Sequence, residues 1–175
     1  MRSVFVVVGG LVAGLTLAPL PSIAQDQIVA QVLTEVCLPY VNRGQSFEKA
    51  IRAARDLDFR RPVADRAPLE DWASEVELIS RDGVWRVRLD EGSVEHEGVQ
   101  AYRVTCSISS RRASGRSLAN LGRRAFRNED YWARGPENLW RWDRRHSRPD
   151  EYSLFVEVAD RPGGVAAMVV TGAYF

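Results

Sequence analysis

Apolar residues recur along this chain at two different periods, first every three or four positions and later every second one. Val29, Val32, Leu33, Val36 and Cys37 share the helical period and predict a helix with one buried face, opened by Asp26 as N-cap and ended by Pro39. After the turn Asn42-Arg43-Gly44, Ser46 is placed to cap a second helix. Phe47, Ala50, Ile51, Ala54 and Leu57 form its apolar side, and Glu48, Lys49, Arg52 and Arg55 its polar side. The two helices make a hairpin, followed by a proline-punctuated connection from Arg61 to Pro68.

The period then becomes two. Glu75 to Leu78 leads to Asp82-Gly83, after which Trp85, Val87 and Leu89 alternate with Arg86, Arg88 and Asp90; Asp-Gly between two such runs is a hairpin signal. A third strand covers Val99 to Ser109, with Tyr102, Val104, Cys106 and Ile108 on one side. Ser114 or Ser117 opens a third helix, with Leu118, Leu121 and Ala125 inward. Asn128 to Asp150 shows no sustained period and is expected to be a long irregular segment with one helical turn after Pro136. Tyr152 to Val158 and Val165 to Phe175 read as two more strands around the turn Arg161-Pro162-Gly163-Gly164. The order ααβββαββ predicts an α+β domain, an antiparallel sheet of about five strands covered on one face by helices.

The N-terminus departs from this globular pattern. Arg2, the apolar run Val4 to Ala18, the helix-ending Pro19 and Pro21, and Ser22-Ile23-Ala24 together read as a secretory signal cleaved before Gln25. Residues 25–175 then form a single domain without a transmembrane anchor, periplasmic or secreted. Export changes the reading of the two cysteines, because an even pair in an oxidising compartment favours a disulfide over a nucleophile. Cys37 and Cys106 fall on inward faces of different elements, as a bridge between the first helix and the sheet requires.

Cys37-Leu38-Pro39, Gly44-Gln45-Ser46-Phe47-Glu48-Lys49-Ala50 and Ala53-Ala54 resemble a segment near the mature N-terminus of small uncharacterised secreted proteins of Gram-negative bacteria. The resemblance covers about 25 residues. It implies a periplasmic protein with a helical N-terminus and implies no activity.

Past the signal, 23 cationic and 23 acidic residues balance, so a strongly basic nucleic-acid binder is not indicated. Their distribution is uneven. Ala101 to Pro149 carries 12 Arg against Glu129, Asp130, Glu137 and Asp143, a local excess of +8. Within it, Arg123, Arg124, Arg127, Arg141, Arg144 and Arg145 accompany Trp132, Trp140 and Trp142. Arginine beside tryptophan can grip phosphate or carboxylate groups while the indole stacks on a sugar or a lipid interface. The competing reading has the tryptophans packed on the core and the arginines paired with the acidic remainder of the domain.

The sequence contains no phosphate-cradling glycine loop, no paired histidines at metal spacing and no Gly-x-Ser-x-Gly elbow, so no cofactor or metal is implied. His96, in an expected loop, and His146 read as solvated. Asp56, Asp58, Asp65, Glu70 and Asp71 are plentiful carboxylates with no spacing that pairs them across a scissile bond. The sequence therefore points to a non-enzymatic binding module whose partner is an anionic envelope component or another envelope protein. The alternatives are an envelope hydrolase with acidic residues the sequence does not identify, and a structural subunit of an envelope assembly.

Overall fold

The computed structural model describes residues 22–63, 74–96, 98–126, 131–134, 140–144 and 152–175. Residues 1–21, which hold most of the predicted signal, lie outside them. Helix α1 (Ser22–Gln31) runs into a π-helical segment, Val32–Cys37, and then into α2 (Leu38–Val41). Two expectations are corrected here. Asp26 lies inside α1 instead of capping it, and its carboxylate meets Arg124 at 2.7 Å. Pro39 does not end the helix, which continues to Val41.

The π-helical turn explains how. Proline has no N–H for the carbonyl four residues back, and its ring crowds that carbonyl. Widening the preceding turn, so that the Leu38 N–H bonds to Leu33 O, leaves the Glu35 and Val36 carbonyls to another donor. The Gln45 side-chain amide supplies it, at 3.3 and 3.0 Å. Helix α3 (Phe47–Asp56) follows, capped as predicted by Ser46, whose Oγ accepts the Lys49 N–H. Ser46 also donates to Glu48 at 2.7 Å, and that bond holds the Glu48 carboxyl below its usual pKa.

Eight strands pair antiparallel: β1 (Phe59–Arg60), β2 (Glu75–Ser80), β3 (Trp85–His96), β4 (Val99–Ser110), β5 (Tyr131–Arg134), β6 (Trp140–Arg144), β7 (Tyr152–Arg161) and β8 (Val165–Tyr174). Their order across the sheet is β1-β2-β3-β4-β8-β7-β6-β5, two meanders joined where β4 meets β8. The α+β class holds, with a wider sheet than expected: seven strands of four residues or more, plus the two-residue edge β1. The difference lies mainly in the segment read as irregular, which contributes β5 and β6. In β6 Trp140 and Trp142 alternate with Arg141 and Asp143, and Arg141, Trp142 and Asp143 pair with Glu157, Val156 and Phe155 of β7 in that order. The helical turn expected after Pro136 falls on residues 135–139, outside the described ones. His96 ends β3 opposite Val99 and is not in a loop.

Side-chain alternation gives the sheet one apolar and one polar face. Leu78, Val87, Leu89, Cys106, Ile108, Leu154, Val156, Val158, Met168 and Val170 are buried together with Val32, Leu33, Val36, Ala50 and Leu118 of the helical layer. Full burial of each such aliphatic side chain contributes roughly 1.5–3 kcal/mol. Cys106, between Leu89 and Val170 in register, is bonded to Cys37 of the π-helical turn, tying the first helix to the middle of the sheet. No helix among the described residues is long and apolar enough to cross a membrane.

Helix α4 (Gly115–Ala125) crosses the same face. Ser114 and Ser117, alternatives in the sequence, act together: each side chain accepts the other's backbone N–H at 3.1–3.2 Å, a reciprocal capping box. The first turn of α4 holds no acidic residue, but Asp160 of β7 accepts the Gly115 N–H at 2.6 Å. Asp160→Ala is therefore expected to lower stability by about 1 kcal/mol. Thermal denaturation checks this, and an unchanged midpoint would remove Asp160 from the account of the cap.

Candidate functional site

The fold disperses the arginine–tryptophan segment over three surfaces. Trp142 is only 3% exposed and lies on the core side, its ring 5.7 Å from that of Phe126 and in contact with Gly122 of α4, where an added Cβ would stand 2.7 Å from the indole. Trp140, half-buried, packs against the same core. Arg141 points to the opposite face, where its Nε meets Asp143 at 2.9 Å, its Nη1 meets Glu157 at 3.0 Å, and its guanidinium stacks 4.1 Å from the centre of Phe155. Arg144 returns to the helical side and donates to Asn42 Oδ1 at 2.8 Å and Tyr152 Oη at 3.3 Å.

Arg123 bonds Asn120 within α4, and Arg124 bonds Asp26. Arg127 and Arg145 lie outside the described residues, as does the side chain of Trp132, whose backbone belongs to β5. Arg123, Arg124, Arg141 and Arg144 thus each hold an internal partner, on three different parts of the fold.

The polar face of the sheet carries its own charges in cross-strand pairs. Arg86 pairs with Glu77, Arg88 with Glu75 at 2.8 Å, and Arg103 with Asp90 at 3.5 Å. These half-exposed pairs contribute roughly 0.2–1 kcal/mol each. They flank a depression of about 370 Å³ floored by Thr105, Ser107, Phe155 and Thr171. Signs alternate across it, so the surface is close to electroneutral.

Cations are in excess at one end of the sheet, where the turns after Ser80, Ser110 and Arg161 gather. Arg111, Arg112 and Arg116 are exposed, and their side chains make no hydrogen bond or ion pair among the described residues. Arg111 and Arg112 join Arg86, Ser109, Ser110 and Gly83 around a depression of about 310 Å³ with no acidic residue in its lining. Asp82 lies nearby. Burial opposes its ionisation, but hydrogen bonds from Ser80 and Val84 and the field of Arg112 prevail and lower its pKa. In sequence this cluster is Ser-Ser-Arg-Arg-Ala-Ser-Gly-Arg between a strand and a helix, a run of cations and hydroxyls without the tryptophans that mark the later segment.

A second constellation sits at the opposite end, under α2. Tyr40 Oη donates to Glu91 Oε2 at 2.9 Å, and burial followed by that carboxylate raises the Tyr40 pKa well above that of a free phenol. Tyr174 donates to the Val41 carbonyl and stacks 5.0 Å from Tyr152, and burial raises both hydroxyls as well. Arg43 lies against the rings of Tyr102 and Tyr174, 5.7 and 5.2 Å from their centres.

The only two cysteines of the chain are bonded to each other, which removes the thiolate nucleophile from consideration. Among the described residues no group of three His, Cys, Asp or Glu side chains is placed to hold a metal ion. No known protein family, curated protein or solved structure matches the chain.

Proposed function

We propose that this protein is exported to the periplasm or secreted, and there binds an anionic envelope component through the basic end of its sheet, performing no covalent chemistry. The ligand class is a phosphate- or carboxylate-bearing glycan. The observation that carries the reading is that Arg111, Arg112 and Arg116 stand exposed and form no ion pair among the described residues, Asp82 being the one carboxylate whose field reaches Arg112. The arginines expected to bind, Arg123, Arg124, Arg141 and Arg144, instead hold the protein's own side chains. Arginine forks suit planar or tetrahedral anions, and the hydroxyl of Ser109 in the same depression suits a polyhydroxylated ligand. The Cys37–Cys106 bond supports the compartment, since such bonds persist where thiols are oxidised.

The test is binding of the full chain to vesicles carrying a phosphorylated glycolipid, beside neutral vesicles and an acidic protein. The glycolipid vesicles are expected to retain the protein at low salt. Retention should weaken as the Debye length contracts to about 8 Å near 0.15 M. Arg111→Gln with Arg112→Gln should reduce it at least tenfold without moving the melting temperature. Full retention by that double variant, or capture by the acidic protein alone, would overturn the proposal.

A further inference from the structure

Arg43 occupies a backbone conformation that favours glycine. Its φ of 55° closes the C-terminus of α2, where its N–H bonds to Tyr40 O and the Gly44 N–H to Pro39 O. Glycine is the usual residue at such a cap, because a Cβ is strained there. The arginine at that position brings its side chain against the sheet. That side chain lies against Tyr102 and Tyr174, and its N–H donors make no hydrogen bond or ion pair among the described residues.

The guanidinium borders a depression of about 380 Å³ shared with Lys49, Glu91 and Tyr102. Glu91 is half-buried and forms no ion pair among the described residues; the Tyr40 and Tyr102 hydroxyls face its carboxylate. One tyrosine ring therefore spaces two opposite charges, Arg43 against the ring of Tyr102 and Glu91 at its hydroxyl, each without an ionic partner. The geometry points to a binding site for a small zwitterion, a free α-amino acid, with its carboxylate on Arg43 and its ammonium on Glu91. Phe47 and Val104 line the same space and offer an apolar wall to the ligand's side chain. The site is separate from the basic end of the sheet, and neither depends on the other.

Calorimetric titration of the full chain with the twenty free α-amino acids, and with the N-acetyl and amide derivatives of any that bind, tests the inference. At least one amino acid should bind saturably at one site, and blocking either its amine or its carboxylate should weaken binding at least tenfold. Arg43→Gly relieves the backbone, so the melting temperature should hold or rise while binding is lost. Glu91→Gln should lower affinity for the free amino acid and leave that for the N-acetyl derivative unchanged. No saturable binding by any amino acid, equal binding of the blocked derivatives, or retained affinity in Arg43→Gly would overturn it. Binding of Arg43→Gly to glycolipid vesicles should be normal, which keeps failure of this site distinct from failure of the other.

Discussion

Replacing Cys37 and Cys106 together by alanine is expected to lower the free energy of unfolding by about 4 kcal/mol. The bond spans 69 residues of sequence, and a loop of that size removes much of the freedom of the unfolded chain. Both residues are fully buried, so the native state also loses sulfur packing between the helical layer and the central strand. Against a typical total of about 5–15 kcal/mol, the loss is a large share of stability. Urea titration should show a lower midpoint, and thiol titration of the unfolded, unreduced wild type should find no free thiol. A change below about 1 kcal/mol would mean that noncovalent packing alone holds the first helix in place.

Trp142→Ala is expected to cost about 3–5 kcal/mol, the range for deleting a large aromatic side chain from a core. The indole is sealed between Phe126, Gly122 and the sheet, a setting in which collapse around the cavity is limited by backbone on two sides. Arg141→Gln in the same strand should cost far less, because its ion pairs are about one-third exposed. Denaturant titration of both variants decides whether β6 is a packing element. A Trp142→Ala protein of wild-type stability would return that tryptophan to the list of ligand-binding residues.

Local chemistry was legible where one residue acts on its neighbours in sequence. Ser46 and Ser114 cap their helices, and Asp82-Gly83 turns a hairpin in which Asp82 accepts the Val84 N–H. The inward positions of Cys37 and Cys106 followed from period alone, and the bond agrees with them. Legibility failed where a local signal was overruled from a distance. Pro39 reads as a helix stop, yet the π-helical turn and the Gln45 amide carry the helix past it.

Strand β6 has a period of two in Trp140-Arg141-Trp142-Asp143, but only five residues long it gives little for a pattern to act on. The partners of the arginines were hidden for a related reason. Arg124 finds Asp26 and Arg144 finds Asn42, partners 98 and 102 residues away, so a local count of charge sees neither the ion pair of the first nor the hydrogen bond of the second. The run at Arg111 and Arg112 was equally visible in sequence. Only the fold distinguishes it, by leaving it exposed and without an ion pair among the described residues.

The position of β8 bears on how the chain reaches this structure. It is the last of the described strands in sequence and yet lies in the middle of the sheet, the one strand through which the two meanders join. A chain emerging N-terminus first can pair β1 to β4, but β4 then presents an unsatisfied edge until Val165–Tyr174 arrives. Ladders between strands so far apart in sequence form slowly, because the loop must close before its contacts help. Completion of the sheet therefore waits for Val165–Tyr174, and β4 stays an edge until that strand is in place. Until then Cys106 lies on an edge strand, and its bond to Cys37 is what holds the helical layer against that edge.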